Sequence, residues 1–280
     1  FHAADPNPTY YRKLPSYGEY TVDEFRANAQ IDWVGMYQQN YGNLDKGAIY
    51  SVVEDVNKDK TLNVISHFDT KLKDNWKFNA NFSYQNLKSD NFRRIKDLLG
   101  ATFARNLDAY SNEGSNQWNL DNPDYKVYEG DRTQYSYILN KNTYAINLST
   151  EIDLPRWNVV ASVFASHSES YRDGQFRNHF YAVGNQSKGK SDVYNTTDAG
   201  MKAKVTYKID GKNFLVYTGA FFTLAPTLNE IFVNPRTTNL ITPEIQNMQI
   251  NSNELSYIIR GQVLKLRLSG YYTTIQKATE

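Results

Sequence analysis

The chain has no cysteine among its 280 residues. That excludes a disulfide framework, a Cys-ligated zinc site and a thiol nucleophile. Long hydrophobic runs are missing too: no window approaches the roughly 18 uninterrupted apolar residues of a membrane helix, and mean hydropathy is −0.66. A helical membrane protein is excluded. A protein that crosses with strands is not, because a barrel strand shows lipid only at every second residue and its hydropathy averages out. Charge of one sign is absent as well, with 31 basic against 30 acidic residues and a net charge of +1, so no polybasic stripe points to nucleic acid. The chain opens Phe1-His-Ala-Ala-Asp5, without an initiator Met, a basic n-region or an apolar h-region. The expectation is a processed chain or, better, an internal stretch of a longer one.

Aromatics are abundant: Tyr 22, Phe 14 and Trp 4 make up 14% of the chain. Tyrosine joins an apolar ring to a wet hydroxyl, which suits a boundary between hydrocarbon and water. Composition alone serves a Tyr-rich soluble sandwich that binds glycans equally well.

Period-two alternation tips the balance. Trp76, Phe78, Ala80, Phe82 and Tyr84 alternate with Lys77, Asn79, Asn81 and Ser83. Met201, Ala203, Val205, Tyr207 and Ile209 alternate with Lys202, Lys204, Thr206 and Lys208. Leu264, Leu266, Leu268 and Tyr272 do so with Lys265, Arg267 and Ser269, and Tyr144, Ile146, Leu148 and Ile152 with Asn147, Ser149 and Glu151. Each pattern gives a strand with one greasy and one wet face. The predicted strands 61–72, 75–89, 134–153, 193–209 and 262–276 exceed the usual 5 or 6 residues of soluble strands.

Four tight turns are predicted at Lys73-Asp74-Asn75, Leu154-Pro155-Arg156, Asp210-Gly211-Lys212 and Arg260-Gly261-Gln262, where Asp-Gly and Asn supply positive φ. Between them lie long polar connections near 89–133, 173–192 and 224–243. Short turns at one end and long loops at the other are the plan of an antiparallel up-and-down transmembrane β-barrel. Residues 1–47 form a loop segment in which Thr21–Trp33 could hold helical turns, capped by Thr21 and Glu24. Arg94–Gly100 is a second helical candidate, stopped by Gly100. With no repeat and no Gly/Ser linker, residues 48–280 read as a single barrel domain.

Thr223-Leu-Ala-Pro-Thr-Leu-Asn-Glu-Ile-Phe232 resembles the barrel signature of TonB-dependent outer-membrane receptors, with Leu224 where Arg is common. Asp5–Tyr17, Asp97-Leu-Leu-Gly100, Asn234–Asn239, Asn253–Tyr257 and Leu264–Thr274 extend the resemblance across the chain, toward the receptors of Bacteroidota in particular. The resemblance implies a 22-stranded barrel of a Gram-negative outer membrane, of which about eight strands are present here. It also implies an N-terminal plug, coupling to the TonB complex and, as a further partner, a surface lipoprotein. The implied function is active uptake of a nutrient such as a siderophore, oligosaccharide or peptide. The chain shows no plug, no TonB box and no terminal aromatic strand before Glu280, so a middle portion of the barrel is expected. The alternatives are a self-contained small barrel acting as adhesin or anchor, and a secreted glycan-binding β-protein.

Candidate sites are sparse. Asp55, Asn57 and Asp59 match the start of a calcium loop, but Lys60 stands where Gly is needed and Ser66 where Glu is needed; a polar strand or rim segment is the reading adopted. His2, His67, His167 and His179 lack metal spacing, and the strand histidines are expected in the lumen or near the rim. Ser166, Ser168 and Asp69 could be imagined in a triad with them, but no Gly-x-Ser-x-Gly elbow is present. No catalytic residue, metal or cofactor is therefore expected. Lys77, Lys202, Lys204, Lys208, Lys265 and Arg267 line the wet faces and are expected to pair with Asp69, Glu151 and Glu254 or to face a plug through water. Sequons begin at Asn81, Asn147, Asn185 and Asn195 and read as chance, two of them inside strands. Tyr110, Trp118, Tyr125, Tyr128, Phe232 and Arg236 in the loops suit stacking on a nutrient.

Overall fold

A computed structural model describes residues 31–108, 111, 116–181 and 186–278. Eight long or medium strands follow one another as an antiparallel meander: β1 (Val52–Lys73), β2 (Trp76–Asp97), β5 (Arg132–Asp153), β6 (Trp157–Gly174), β8 (Tyr194–Lys208), β9 (Asn213–Leu224), β10 (Met248–Arg260) and β11 (Lys265–Gln276). Every strand pairs with its neighbours in this order, and the fold is all-β, up-and-down. The short strand β7 (Gly189–Lys190) adds to the end of β6, and β3 (Ala104–Arg105) with β4 (Lys126–Val127) forms a separate ribbon in the first long loop. Helix α1 (Trp33–Tyr41) precedes the sheet, and the one-turn α2 (Leu228–Ile231) follows β9. No helix among the described residues is long and apolar enough to cross a membrane, which says nothing about crossing by strands.

The predicted alternation of short and long connections holds: 74–75, 154–156, 209–212 and 261–264 are short, and 98–131, 175–193 and 225–247 are long. Two expectations about local chemistry do not hold. None of the residues in the short turns has a positive φ. In the third turn the Asp210 carboxylate does the work instead, accepting from the backbone N–H of Lys212 at 2.7 Å and of Asn213 at 2.8 Å. These bonds satisfy turn donors without a left-handed residue, and they hold the Asp210 carboxyl below its ordinary range. The helix predicted over Arg94–Gly100 is also absent. Residues 94–97 continue β2, with Arg94 opposite Glu54 and ion-paired to it. The chain breaks only at Leu99 (φ 50°) and Gly100 (φ 84°). The apolar pair that looked helical instead supplies two separate cores, Leu98 to one and Leu99 to the other.

Of the region predicted to be helical at Thr21–Trp33, residues 21–30 lie outside the described residues. The helix that is described begins at Trp33, where that prediction ends, with Asp32 capping the Gly35 N–H at 2.9 Å. It delivers Asn40, fully buried, to the top of the sheet. The Asn40 amide donates to the carbonyls of Tyr50, Leu98 and Leu99, and its oxygen accepts from Ile49 and Tyr50. One side chain thus satisfies backbone groups on both sides of the β1–β2 ends, groups that would otherwise be buried unpaired.

Across the ladder the alternate residues of each strand share a face. One face carries the row Phe68, Ala80, Leu148, Val163, Met201 and Phe221 across β1 to β9. Most of the large apolar side chains on this face are exposed, among them Leu62 at 58%, Phe68 at 58%, Met201 at 59% and Leu268 at 70%. Aromatic rings mark its edges: Trp157 and Tyr207 lie 4.7 Å apart near the short turns, and Tyr84 and Tyr144 lie 5.1 Å apart toward the long loops. In β2, β5, β6 and β8 the apolar stretch is about nine residues long, close to the 9 to 11 of a tilted membrane strand.

The apolar band runs obliquely to the hydrogen-bonded rows. Its long-loop edge in β1 is Leu62, in the row of Asn86; in β11 it is Tyr272, whose row leads through Asn253, Gly219, Ala203, Ala161 and Thr150 to Phe78. The edge therefore drifts by about eight residues over the sheet. A level band on strands tilted by about 40° should drift by roughly 1.2 residues per strand, given spacings of about 4.8 Å between strands and 3.3 Å along them, or about eight over seven steps.

The opposite face is mainly polar but carries an aromatic pair. Phe164 and Phe222, 6.5 Å apart, close over Gly200, which lies between them in the same row. A Cβ at Gly200 would run into the Phe164 ring and the Cβ of Phe222. Gly200→Ala is expected to destabilise the sheet by about 1–3 kcal/mol through overpacking, measured by thermal or denaturant unfolding; an unchanged midpoint would remove the close-packing argument.

Candidate ligand site at the long-loop end of the polar face

The polar face is crossed at its long-loop end by the β9–β10 loop. The Thr223–Phe232 segment opens this loop as its sequence suggests: β9 ends at Leu224, and the N–H of Thr227 donates to the Glu230 carboxylate at 2.6 Å at the start of α2. Ile231 and Phe232, at 1% and 2% exposure, pack on Tyr135, Tyr137 and Leu139 of β5. The loop then carries Arg236 to β1, five strands away in the sheet order.

A bulge in β5 prepares the landing place. Phe92 pairs with Ser136 but Arg93 pairs with Thr133, and Gln134, at φ 61°, takes up the extra length. Such bulges re-aim side chains at the ends of strands. The buried Asn106 of the β3–β4 loop holds this one, accepting from the Gln134 N–H at 2.7 Å and the Thr133 hydroxyl at 3.0 Å.

Around Tyr135 the charges form a tight set. Arg93 donates to both Asp55 oxygens, at 2.6 and 3.0 Å, and to Gln134 at 2.5 Å. Arg236 reaches the same carboxylate at 3.4 Å and stacks 4.7 Å above the Tyr135 ring; Arg93 sits 5.5 Å from that ring. The Arg93 guanidinium, above all through its hydrogen bonds, holds the Asp55 carboxyl below its ordinary value. Burial first, and then the hydrogen bond to Asp55, push the Tyr135 hydroxyl up to about 12, so it stays a donor at neutral pH. Two guanidiniums share one carboxylate here, and Arg236, half-exposed, presents a cation and a planar stacking surface to solvent.

Arg172 of β6 is the buried counterpart, at 1% exposure. It donates to the carbonyls of Pro235 at 2.6 Å and Ser187 at 2.8 Å and to the Asn239 side-chain oxygen at 2.5 Å, and lies 5.2 Å from the Tyr137 ring. These bonds join β6 to two loops. Burial lowers the Arg172 guanidinium to about 10, still charged at neutral pH. Gly174, two residues on, leaves the space: a Cβ there would collide with the Ser187 carbonyl and the Arg172 guanidinium.

The loop residues singled out in the sequence are dispersed. Tyr110 lies outside the described residues. Trp118 packs edge-on against His179 and Phe180, with His179 3.1 Å from Asp108. Tyr125 packs on the Ala48–Val127 core and also lines a cleft of about 500 Å³ with Asn119, Arg132 and Gln175. Phe232 is core, Tyr128 is exposed, and Arg236 alone of the six joins the cluster around Tyr135. Tyr135 and Tyr137 were readable in principle: Tyr135-Ser-Tyr137-Ile-Leu139 puts aromatic residues on what should be a wet face.

The remaining sequence candidates fall as follows. Asp55, Asn57 and Asp59 sit in β1, and no group of metal-ligating side chains is present among the described residues. His67 lies on the polar face, hydrogen-bonded to Asn81 and ion-paired to Asp69. His167 lies on the other face, at the edge of the apolar band, facing Thr197 at 3.1 Å. Ser166 and Ser168 are three strands from His67, roughly 14 Å at the usual spacing, so the structure does not bring these groups together. Lys77 pairs with Glu151 at 3.2 Å and Arg267 with Glu254 at 2.5 Å as expected; Lys208 takes Asp153 at 2.6 Å, and Lys202 lies 5.2 Å over Phe222. Three sequon asparagines, Asn81, Asn147 and Asn195, lie inside strands, one more than expected; Asn185 is outside the described residues. No family model matches the chain, and no curated protein matches it.

Two expectations follow. Arg172→Met should free the β9–β10 loop, and Gly174→Ala should do the same, each costing about 3–5 kcal/mol if the hydrogen-bonded network is broken. Limited proteolysis within 225–247 reads this; equal resistance in both variants would count against the clamp. Because Asp55 has a depressed pKa when folded, its contribution is complete above its ordinary 3.8 and disappears only as pH falls through the lower folded value. Proteolytic protection of the loop should thus be flat from neutral pH to about pH 4 and fall below it. Loss near pH 6 would assign the control to another group.

Proposed function

We propose that this chain is a middle portion of the barrel wall of a TonB-dependent outer-membrane transporter, taking part in uptake of a nutrient. The observation that carries this reading is the exposed apolar band, bordered by aromatic rings and oblique to the hydrogen-bonded rows by the drift that strand tilt requires. The resemblance of Thr223–Phe232 to the receptor signature supports the assignment within barrels.

A self-contained small barrel would join β1 to β11, but among the described residues β1 pairs only with β2 and β11 only with β10. A soluble glycan-binding protein would bury the apolar face against protein. On the transporter reading, the cluster around Tyr135, with Arg236 presented beside it, faces the outer vestibule and meets the nutrient there. The plug and the TonB complex act through sequence outside this chain.

The absence of cysteine makes the test clean. Single cysteines at Phe82, Val163, Met201 and Leu268, and at their neighbours Ser83, Ser162, Lys202 and Ser269, are labelled with nitroxide in lipid vesicles. Oxygen contact should be high for the first set and contact with a water-soluble nickel chelate high for the second. Uniform contact along the strands would overturn the membrane reading.

A further inference from the structure

Just beyond the apolar band on its long-loop side, and on the same outward face, the charges do not balance. Lys60 of β1 and Lys88 of β2 are directly opposite each other. They stand one step beyond the Leu62–Asn86 pair on this face, and Leu62 is the last apolar residue of the band in β1. Cross-strand neighbours on one face have Cβ atoms about 4.5–5.5 Å apart, and like charges so placed are destabilising. Both lysines are exposed, and among the described residues neither is ion-paired.

The next step outward adds more positive charge. Lys58 is opposite Asp90, but both Asp90 oxygens are taken by Arg132, at 2.9 and 2.7 Å. Lys58 and Arg132 instead flank the Phe92 ring, at 5.4 and 3.9 Å from its centroid. The patch thus sets Lys58, Lys60, Lys88 and Arg132 against the single carboxylate of Asp90. Of the other acidic groups on this face, Glu54 lies two face positions beyond Lys58 and is ion-paired to Arg94, and Glu169 and Asp173 are two strands from β2, on β6.

We propose that Lys60 and Lys88, with Lys58, form a binding site for the phosphate headgroup of an anionic glycolipid in the outer leaflet. The inference rests on the membrane reading above, because only that reading puts the apolar band among acyl chains. The site follows from the arrangement: the acyl chains lie along Leu62, Val64 and Tyr84, and the headgroup phosphate arrives at the height where two unpaired ammoniums face each other. A phosphate between them turns a repulsion into two charge-assisted hydrogen bonds.

The test embeds the protein in phosphatidylcholine vesicles with and without bis-phosphorylated lipid A and measures the lipid retained after detergent extraction. Wild type should retain lipid A in preference to phosphatidylcholine, and the preference should weaken with salt. Lys60→Gln/Lys88→Gln should lower it by about five-fold per lysine, as expected of a basic residue at an anionic surface. Lys204→Gln, on the polar face, should leave it unchanged. The oxygen-against-nickel alternation at Val163 and Ser162 is read on the same samples. If alternation is present and the double variant retains lipid A as wild type does, the lipid site is wrong and the membrane reading stands. If alternation is absent, both fail.

Discussion

The antiparallel ladder is the constraint on which everything else in this protein depends. From β1 to β11 each strand is held in register by its neighbour, and the side-chain period along a strand is two. Fixing Ala80 on one face therefore fixes Leu148, Val163, Met201 and Phe221 there too, and sends Asn81, Asn147, Phe164 and Gly200 to the other. A slip of one residue between any two strands would exchange the faces of everything beyond it. The register shifts that do occur are confined to strand ends, at Val52–Val53, Lys71–Lys73 and Phe92–Arg93. The last of them is what turns Tyr135 toward Arg93.

The long-loop end shows how a polar face can be closed without a conventional core. Tyr135, Tyr137 and Leu139 accept the apolar side of the β9–β10 loop, while Arg172 binds its Pro235 and Asn239 oxygens and Asp55, held by Arg93, takes its Arg236. Arg172 is held by two backbone carbonyls and one amide oxygen; no carboxylate directly bonds it among the described residues. A buried guanidinium paid for in this way gives geometric specificity, since the three oxygens come from different loop positions. Asp55 and Arg236, more exposed, are held more weakly. The loop is therefore anchored firmly near β6 and lightly near β1, and its β1 end is the part that a ligand could shift at least cost.

The strands were legible because alternation is a local signal repeated many times; the short and long connections were legible because turns and loops differ in length and polarity. The strand ends were not. Arg94–Gly100 has helix-like spacing, yet pairing with Glu54 and Arg132 overrode it. Asp210-Gly211 suggested a left-handed turn, whereas the Asp210 carboxylate achieved the same reversal by capping two N–H groups. The cluster around Tyr135 was invisible for a different reason: it draws Asp55, Arg93, Tyr135 and Arg236 from widely separated stretches, and only the bulge and the returning loop bring them together. Single aromatic residues in loops, such as Phe232, could not be sorted into core or surface without that geometry.

The exposed band has an energetic consequence that bears on where such a sheet can exist. Keeping one Leu, Phe or Met in water forfeits about 1.5–3 kcal/mol relative to burial. About ten such side chains in one continuous band, each about half exposed, amount to roughly 8–15 kcal/mol, as much as the whole stability of an ordinary domain at about 5–15 kcal/mol. Contiguous apolar surface on that scale is covered by something. A protein partner would need to match a band that drifts by about eight residues across the sheet, whereas a fluid hydrocarbon layer needs only that the strands tilt. On the membrane reading proposed above, the aromatic rings at both edges and the unpaired lysines just beyond one of them share one origin in the profile of a bilayer, which changes from acyl chain to headgroup over a few ångströms.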